Sequence, residues 1–539
     1  MKKLRSPKYI TLVAATLLLG NPSLFARAAG TAAWSPDNLV RIDGGWVSGV
    51  LNATSDVRIF KGLSYAAPPI GNLRWRPPKP VIAWKGIRHA GNFSSSCIQI
   101  KLEPTSIFYD DPHPTSEDCL YLNVWTAAMS PLDRLPVLVW IHDGAFLWGE
   151  GTRPVADGEA LARKGAVIVT INYRLGVLGF LAHPKLSRES SQHISGNYGL
   201  LDMIAAIKWT RKNIAAFGGD PTRITLFGES AGSRAVGALY TSPLTRGYIS
   251  GVIAADSVFA GALSLADAER AGADFVKSSG ATSIDQLRRM PAGKLFPSSY
   301  LDAQKKGYFG PLVDGITLTS ASVLTAEKNG MGQDIPILTG LTADYGSVIA
   351  SPISSDLFKK QNRDTYGDQA DQFLKLYPAA SDAQAGSSER NLITDSTTWT
   401  HDKWAALHTQ NGRRAYLYRF THRPPVPPNA RYTITGDPLP TQLGVFHTGE
   451  ICYLFDSLAK LREPWTPEDY HVADRVSSYV INFAMKGDPN GPGLPRWPAY
   501  GDGPQSVMEL GDAMRTAPPG LAKDKYELWS AVYRKFGLD

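Results

Sequence analysis

The stretch RITLFGESAGSRAVGALY, residues 223–240, decides the fold. Its apolar beginning, Arg223–Phe227, predicts a strand, and its end, which is rich in small residues from Ala231 to Tyr240, predicts a helix. The turn between them is Gly-Glu-Ser-Ala-Gly, whose glycines allow a bend too tight for larger side chains. A strand, a tight turn and a helix with a serine at the tip form a nucleophile elbow, so Ser230 is the candidate nucleophile.

Strands and helices also alternate on both sides of this stretch. Two continuous apolar runs, Pro136–His142 and Ala166–Asn172, are typical of strands that are buried on both faces, and Tyr248–Ala254 is predicted to be a further strand. The spacing of apolar residues over Leu200–Ala216 predicts a helix. This order favours an α/β protein with a central, mostly parallel sheet flanked by helices. One large domain with loop excursions explains the 539 residues better than two domains do.

A second element of the candidate site follows the strand Pro136–His142. The residues His-Asp-Gly-Ala-Phe, 142–146, form a turn of mostly small residues that can aim backbone N–H groups at a developing negative charge. Combined with the elbow, this turn predicts an oxyanion hole. Its donors would be the backbone N–H groups of Gly144, Ala145 and Ala231.

The amino-terminal 28 residues have the pattern of a signal peptide. A basic start is followed by an apolar run from Tyr9 to Gly20 and by an Ala-x-Ala cleavage pattern at Ala26–Ala28. The run is too short to span a bilayer comfortably, because about 20 apolar residues are needed. We therefore expect an exported protein, periplasmic or secreted, whose mature part is residues 29–539 and which keeps no stable membrane insertion.

The net charge of the chain gives no support for nucleic acid as a partner. The chain has a formal net charge of +7, and its first 28 residues contain no acidic residue. Five basic residues lie in that segment, which leaves +2 on the remainder: Lys2, Lys3, Arg5, Lys8 and Arg27. So small a charge does not predict nucleic acid as a partner. The sequence leaves the oligomeric state open.

Three cysteines are compatible with an exported protein. Cys97 and Cys119 are 22 positions apart and could close a loop, which would contribute about 3 kcal/mol to stability. Cys452 lies in an apolar run, Ile451–Phe455, and is most simply a buried free thiol. Three scattered cysteines do not predict a zinc site.

Further motifs resemble those of the type-B carboxylesterase and cholinesterase family, in the same order along nearly the whole mature chain. They are Phe60–Ala66 (FKGLSYA), Glu117–Val124 (EDCLYLNV), Asn197–Asp202 (NYGLLD), Phe217–Pro221 (FGGDP), Phe483–Asn490 (FAMKGDPN) and Trp497-Pro498. The resemblance implies the α/β-hydrolase fold and hydrolysis of small-molecule carboxylic esters without a cofactor or metal. It also implies a disulfide between Cys97 and Cys119, and an acid such as Glu229 beside the nucleophile is usual in the family.

The resemblance also identifies the histidine. The segment Gly444–Glu450 (GVFHTGE) is similar to the histidine loop of the family, which makes His447 the candidate general base among ten histidines. Its task would be to take the proton of Ser230 and later to protonate the leaving alcohol.

The third member of the triad departs from the family pattern. The family carries a glutamate in an Asp-Glu-Gly turn, whereas this chain has Tyr345 between Asp344 and Gly346. A neutral phenol cannot stabilise an imidazolium as a carboxylate does. Two aspartates are candidates: Asp344 in the same turn, and Asp256 after the strand Tyr248–Ala254, where most relatives have glutamine. A relocated triad with Asp256, a triad with Asp344, and a site that uses neither remain open.

Two alternatives to a general esterase follow from the same residues. The family includes non-catalytic cholinesterase-like adhesion domains, and the change at Tyr345 would suit such a binding protein, but the presence of Ser230 and His447 favours catalysis. A lipase for long acyl chains is the other alternative, with Phe146, Leu147 and Trp148 lining an acyl pocket unless they are core residues.

Overall fold

The computed structural model describes residues 38–111, 113–297, 309–427, 430–434, 437–439, 443–535 and 537. The signal peptide predicted for residues 1–28 lies outside these ranges.

A large mixed sheet forms the centre of the molecule. It contains eleven strands. In chain order they are β1 (Val50–Leu51), β2 (Arg58–Ser64), β3 (Tyr121–Thr126), β4 (Leu135–Ile141), β5 (Val167–Ile171), β6 (Gly219–Glu229), β7 (Gly251–Ala255), β8 (Ile337–Thr342), β9 (Ala415–Phe420), β10 (Val507–Leu510) and β11 (Arg515–Ala517).

The order of strands across the sheet is β11-β10-β9-β8-β7-β6-β4-β5-β3-β2-β1. Neighbours from β10 to β5 are parallel, whereas β11, β3, β2 and β1 pair antiparallel at the two edges. All four strands predicted from the sequence lie in the parallel part, so the prediction of a central, mostly parallel sheet is confirmed.

Helices cover both faces of the sheet. The α-helices among the described residues are α1 (Glu159–Arg163), α2 (Gly176–Phe180), α3 (Pro184–Glu189), α4 (Tyr198–Asn213), α5 (Ala231–Thr241), α6 (Leu265–Ser278), α7 (Ile284–Arg289), α8 (Val323–Lys328), α9 (Ser355–Tyr366), α10 (Ala370–Leu376), α11 (Asp382–Gln410), α12 (Ile451–Phe455), α13 (Pro467–Lys486) and α14 (Lys523–Lys535). The two helices predicted from the sequence correspond to α4 and α5.

The alternation of side chains along β4 divides the core into two parts. Val137, Val139 and Ile141 belong to the core shared with α4, α5 and α11. Leu138 and Trp140 point to the other face, where the core includes residues of α1, α12 and α13. Because successive strand residues face opposite sides, a strand buried on both faces needs an unbroken apolar run.

The topology places the candidate site at one edge of the sheet. After β4 the chain forms β5 on one side of it, then crosses through α4 to form β6 on the other side. The direction of winding therefore reverses at β4 and β6. Clefts outside the carboxyl ends of strands at such a switch point are the usual ligand sites of open α/β sheets. Both the 142–146 turn and Ser230 follow these two strands directly.

A disulfide joins Cys97 to Cys119 and closes a loop of the chain beside this edge. Cys452 is a buried free thiol. Within the described residues, no helix combines the length and apolar character needed to cross a membrane.

We expect the disulfide to contribute measurably to stability. Replacing both Cys97 and Cys119 by alanine should lower the free energy of unfolding by about 2–4 kcal/mol, because the unfolded chain loses a constraint on a loop of this size. Guanidinium unfolding of the mature protein with and without a thiol reductant measures this. Cys452→Ala is the control, since it should keep the reductant sensitivity of the wild type. An unfolding free energy equal to that of the wild type in the double variant would contradict the prediction.

Candidate active site

Ser230 lies at the tip of the turn between β6 and α5. Its backbone is strained, with φ 52° and ψ −119°, and its N–H donates a hydrogen bond of 3.0 Å to the carbonyl of Ala255. The flanking glycines are required by close approach. A Cβ on Gly232 would lie 2.0 Å from the carbonyl oxygen of Ile141, and one on Gly228 would lie 2.5 Å from the backbone of Gly232. The helix can therefore pack on β4 only with glycine at these positions.

His447 contacts the serine. Its Nε2 lies 2.9 Å from Oγ of Ser230, and only 3% of the residue is exposed. The loop that carries His447 precedes α12. Asp344 holds this loop in two ways: its backbone N–H donates to the carbonyl of Val445 at 2.9 Å, and its carboxylate accepts the N–H of Val445 at 2.8 Å. The carboxylate of Asp344 thus bonds the backbone of the histidine loop.

Asp256 occupies the other side of the imidazole. It follows β7, adopts a left-handed backbone with φ 61°, and is fully buried. Its Oδ2 accepts hydrogen bonds from Nδ1 of His447 at 2.9 Å and from the N–H of Thr448 at 3.0 Å. Its Oδ1 accepts from the N–H and the hydroxyl of Thr342, at 2.6 and 2.9 Å.

These contacts decide the charge of Asp256. Burial opposes ionisation, but the hydrogen bond and charge of His447, together with the N–H groups of Thr342 and Thr448, lower the pKa of Asp256 below its ordinary value. The aspartate is therefore ionised at neutral pH. Of the two candidate acids, the structure brings Asp256 to Nδ1 of His447.

Tyr345 packs on the imidazole. Its ring centroid lies 4.6 Å from that of His447, and the two planes meet at 70°. Burial and the neighbouring Asp256 and Glu229 raise the pKa of the phenol above its ordinary value, so Tyr345 is neutral. Phe108, from the loop closed by the disulfide, also faces His447, with ring centroids 6.3 Å apart. Sequence reasoning gave no signal for the contact of Phe108.

The turn after β4 presents backbone donors next to the serine. Gly144, Ala145 and Phe146 all have positive φ, and a Cβ on Gly144 would lie 2.0 Å from the carbonyl oxygen of Trp148. A left-handed conformation costs an alanine about 1 kcal/mol, which the fold must offset here. The N–H groups of Gly144, Ala145 and Ala231 have no acceptor among the described residues.

Phe146 and Leu147 are buried core residues, as one of the two interpretations of the sequence expected. Phe146 packs against Phe180 in α2, with ring centroids 5.3 Å apart. Trp148 instead lines a cavity of about 450 Å³ that lies between the turn and the disulfide-closed loop. Phe108 forms part of the same wall, which connects this cavity to the face of His447.

Glu229 is a second buried carboxyl group beside the histidine. Its Oε1 lies 3.2 Å from Nδ1 of His447, although the hydrogen bond of that nitrogen goes to Asp256. Burial and the charges of Asp143, Asp256 and Glu450 raise the pKa of Glu229 well above its ordinary value. Burial therefore favours the neutral form of Glu229 beside the ionised Asp256.

The same three side chains form the one cluster of potential metal ligands within the described ranges. The ligand atoms of Glu229, Asp256 and His447 lie within 4.8 Å of one another. The four hydrogen bonds to Asp256 already occupy both of its oxygens. These contacts therefore hold the Nδ1–H group of His447, which donates to Oδ2 of Asp256.

Comparison with known proteins gives consistent results. A profile described as the Carboxylesterase family matches residues 36–529. The chain is 37% identical over 510 residues to fumonisin B1 esterase of Sphingopyxis macrogoltabida, covering 90% of this chain and 88% of that protein. It is 33% identical over 473 residues to para-nitrobenzyl esterase of Bacillus subtilis (strain 168), covering 84% and 91%.

Solved structures agree with the sequence relatives. A structure of PNB esterase superposes with a TM-score of 0.77 at 28% identity, covering 91% of this chain and 99% of the other. A Geobacillus stearothermophilus carboxylesterase superposes with a TM-score of 0.75 at 30% identity, covering 91% and 100%. The predicted α/β-hydrolase fold is confirmed by these likenesses.

Two buried glutamates, Glu229 and Glu150, have pKa values shifted in opposite directions, and this difference tests the charges assigned to the site. The pKa of Glu229 is raised above its ordinary 4.5, so the contribution of this group to the stability of the wild type falls as pH rises above that value. Glu229→Gln should therefore gain stability relative to the wild type between pH 4 and pH 8. Thermal unfolding across this range measures the difference.

Glu150 is the matched control. Although burial opposes its ionisation, hydrogen bonds from Ser96, Thr152 and His113 lower its pKa. Its stabilising contribution is present above the ordinary 4.5 and is lost as pH falls through the lowered pKa. Glu150→Gln should therefore be less stable than the wild type at neutral pH and should approach it in acid. The same pH trend in both variants would contradict our assignment of the charges.

Proposed function

The chain belongs to the carboxylesterase family and is a carboxylic-ester hydrolase, and on this premise we propose that Ser230, His447 and Asp256 form its catalytic triad. The observation that supports this proposal most directly is an unbroken chain of hydrogen bonds. Oγ of Ser230 lies 2.9 Å from Nε2 of His447, and Nδ1 of the same ring lies 2.9 Å from Oδ2 of Asp256.

In the acylation step, Ser230 attacks the ester carbonyl carbon while His447 accepts the hydroxyl proton at Nε2. The ring then carries a positive charge, which the ionised Asp256 stabilises through Nδ1–H. The negative charge that develops on the carbonyl oxygen is held by the N–H groups of Gly144, Ala145 and Ala231, which have no other acceptor among the described residues.

Collapse of the tetrahedral intermediate breaks the bond to the alcohol, and His447 returns the proton to the leaving oxygen. A water molecule then attacks the acyl carbon while His447 accepts a proton from it. Collapse of this second intermediate breaks the bond to Oγ of Ser230, which takes the proton back from His447 as the carboxylic acid leaves. The protein groups that take part in both steps are therefore Ser230 as the nucleophile, His447 as the proton carrier and the backbone N–H groups as the oxyanion donors.

The relocation of the acid to Asp256 has a geometric basis. The strands β7 and β8 are parallel neighbours, so their carboxyl ends lie side by side. Asp256 follows the first and Tyr345 follows the second, and both side chains contact His447. The acid that contacts His447 thus follows β7 in this chain. The aromatic ring of Tyr345 occupies the position after β8 at which the family has a glutamate.

We assign the cavity of about 450 Å³ beside His447 to part of the substrate. Its apolar wall includes Phe108 and Trp148, and its size suits a small-molecule ester. The relatives are named as esterases, which does not favour a non-catalytic binding protein or a lipase for long chains.

Variants of the two aspartates test the triad. Hydrolysis of short p-nitrophenyl esters by the mature protein should fall by about 10³- to 10⁴-fold or more in kcat for Ser230→Ala and Asp256→Asn. Asp344→Asn should stay within about threefold of the wild type, because an amide oxygen can still accept the N–H of Val445. Loss of kcat in Asp344→Asn with retention in Asp256→Asn would overturn the relocated triad.

We also propose that the protein is exported after removal of residues 1–28. The Ala-x-Ala pattern at Ala26–Ala28 and the disulfide between Cys97 and Cys119 support this proposal. Expression of the full chain in a bacterial host should therefore yield a protein outside the cytoplasm whose first residue is Ala29. Fractionation followed by amino-terminal sequencing tests this, and a retained Met1 in that fraction would contradict it.

A further inference from the structure

An ionised aspartate stands directly before the proposed oxyanion donors. Asp143 precedes Gly144 in the turn after β4, and its side chain is only 3% exposed. A buried carboxylate at this position places negative charge close to where the reaction creates more negative charge. Such an arrangement opposes the transition state unless a nearby cation neutralises it.

Arg153 supplies that cation. Its Nη1 donates to Oδ1 of Asp143 at 2.6 Å, and its Nε donates to Oδ2 of Asp110 at 2.5 Å. The side chain of Arg153 is 12% exposed, so solvent screens these contacts poorly. The guanidinium thus bridges the oxyanion turn and the disulfide-closed loop that carries Asp110 and Phe108.

The charges on this bridge follow from the pairing of Asp143 with Arg153. Although burial opposes ionisation of Asp143, the charge of Arg153 lowers the pKa of Asp143 below its ordinary value. His142 does not supply the compensating charge at neutral pH, because burial lowers its pKa to about 4. Arg153 is therefore the cation that balances Asp143 in the working protein.

The field of Asp143 also reaches Glu229, the neighbour of the nucleophile. After burial, Asp143 is the largest of the influences that raise the pKa of Glu229, the residue before Ser230. A charge that acts on Glu229 acts on the carbonyl oxygen of a substrate bound to Ser230 as well. Compensation of Asp143 is consequently relevant to the reaction and not only to packing.

We propose that Arg153 is a positioning residue for ester hydrolysis. It neutralises Asp143 in the oxyanion turn, residues 142–146, and fixes that turn against the disulfide-closed loop between Cys97 and Cys119. The proposal rests on the oxyanion role assigned above to Gly144 and Ala145. Arg153 lines the cavity assigned above to part of the substrate, but its guanidinium is bonded to Asp143 and Asp110 and not to the reacting atoms. Its effect is transmitted through the charge and the position of Asp143.

The test separates charge compensation from simple stability. Arg153→Met should lower kcat for p-nitrophenyl acetate by about 10- to 100-fold with little change in KM, which is somewhat less than the loss of one oxyanion donor. Because the defect is specific to the transition state, the affinity for a trifluoromethyl ketone should fall by a similar factor. In that adduct the serine oxygen bonds to the ketone carbon, the hydroxyl proton passes to His447, and the former carbonyl oxygen becomes an oxyanion.

Removal of the uncompensated charge should restore activity. The double variant Asp143→Asn with Arg153→Met should regain kcat and inhibitor affinity to within about fivefold of the wild type, because no unpaired charge remains next to the oxyanion donors and Asp110, whose side chain is 30% exposed, is hydrated. A double variant as impaired as Arg153→Met would overturn the proposal, as would an Arg153→Met variant with unchanged kcat and inhibitor affinity.

Two further variants control for folding. Arg74 also forms an ion pair with a residue of the disulfide-closed loop: its guanidinium binds Glu117 at 2.5 Å, and the two side chains are 7% and 18% exposed. Arg74→Met should lower the melting temperature without changing kcat. If Arg153→Met does not fold, Arg153→Lys carries the test. It keeps a positive charge beside Asp143, so its kcat should remain within about fivefold of the wild type. A lysine variant with a larger loss of kcat and a wild-type melting temperature would overturn the proposal.

Failure of the proposed function itself would look different. If wild-type protein and Ser230→Ala hydrolyse the ester equally and neither binds the trifluoromethyl ketone, the assigned serine and oxyanion hole are wrong. An active wild type with an unaffected Arg153→Met variant would instead reject only the role of Arg153.

Discussion

The hydrogen bond between the buried carboxylate of Asp256 and Nδ1 of His447 is the interaction on which the rest of the site depends. An ionised group without solvent needs several donors, and Asp256 receives them from His447, Thr448 and both donors of Thr342. These donors come from the end of β8 and from the histidine loop. The same carboxylate therefore joins two separate segments and orients the ring toward Ser230.

The remaining acids of this region have different states because their partners differ. Asp143 is ionised beside Arg153, whereas Glu229 and Glu450 have raised pKa values because burial and other carboxylates surround them. Glu450 accepts a hydrogen bond from the hydroxyl of Tyr418 at 2.8 Å. The site thus contains four acidic side chains but has a low net charge. Which of these side chains carries a proton matters for its electrostatics as much as the distances between them.

The sequence predicted the elbow well because glycine has few substitutes there. The spacing of Gly228, Ser230 and Gly232 expresses a steric requirement that survives any change in the surrounding loops. The bounds of the strand were less accessible: β6 begins at Gly219 and not at Arg223, because Gly219 pairs with Leu135 ahead of an irregularity in register. The role of Arg153 could not be predicted, since its contact with Asp110 depends on how two loops fold over each other. Asp256 was recognisable by its place after a strand and by the absence of the family glutamate at Tyr345, whereas the left-handed backbone that orients it has no mark in the sequence.

The adjacency of β7 and β8 has a consequence for how such proteins diverge. Because both strand ends contact one imidazole, an ancestral chain that carried carboxylates at positions 256 and 345 together would have kept a functional histidine during the exchange. Either acid could then be lost by a single substitution without an inactive intermediate. Parallel strands side by side would thereby offer a continuous evolutionary route between the proposed triad with Asp256 and a triad with an acid at position 345, without movement of the histidine loop.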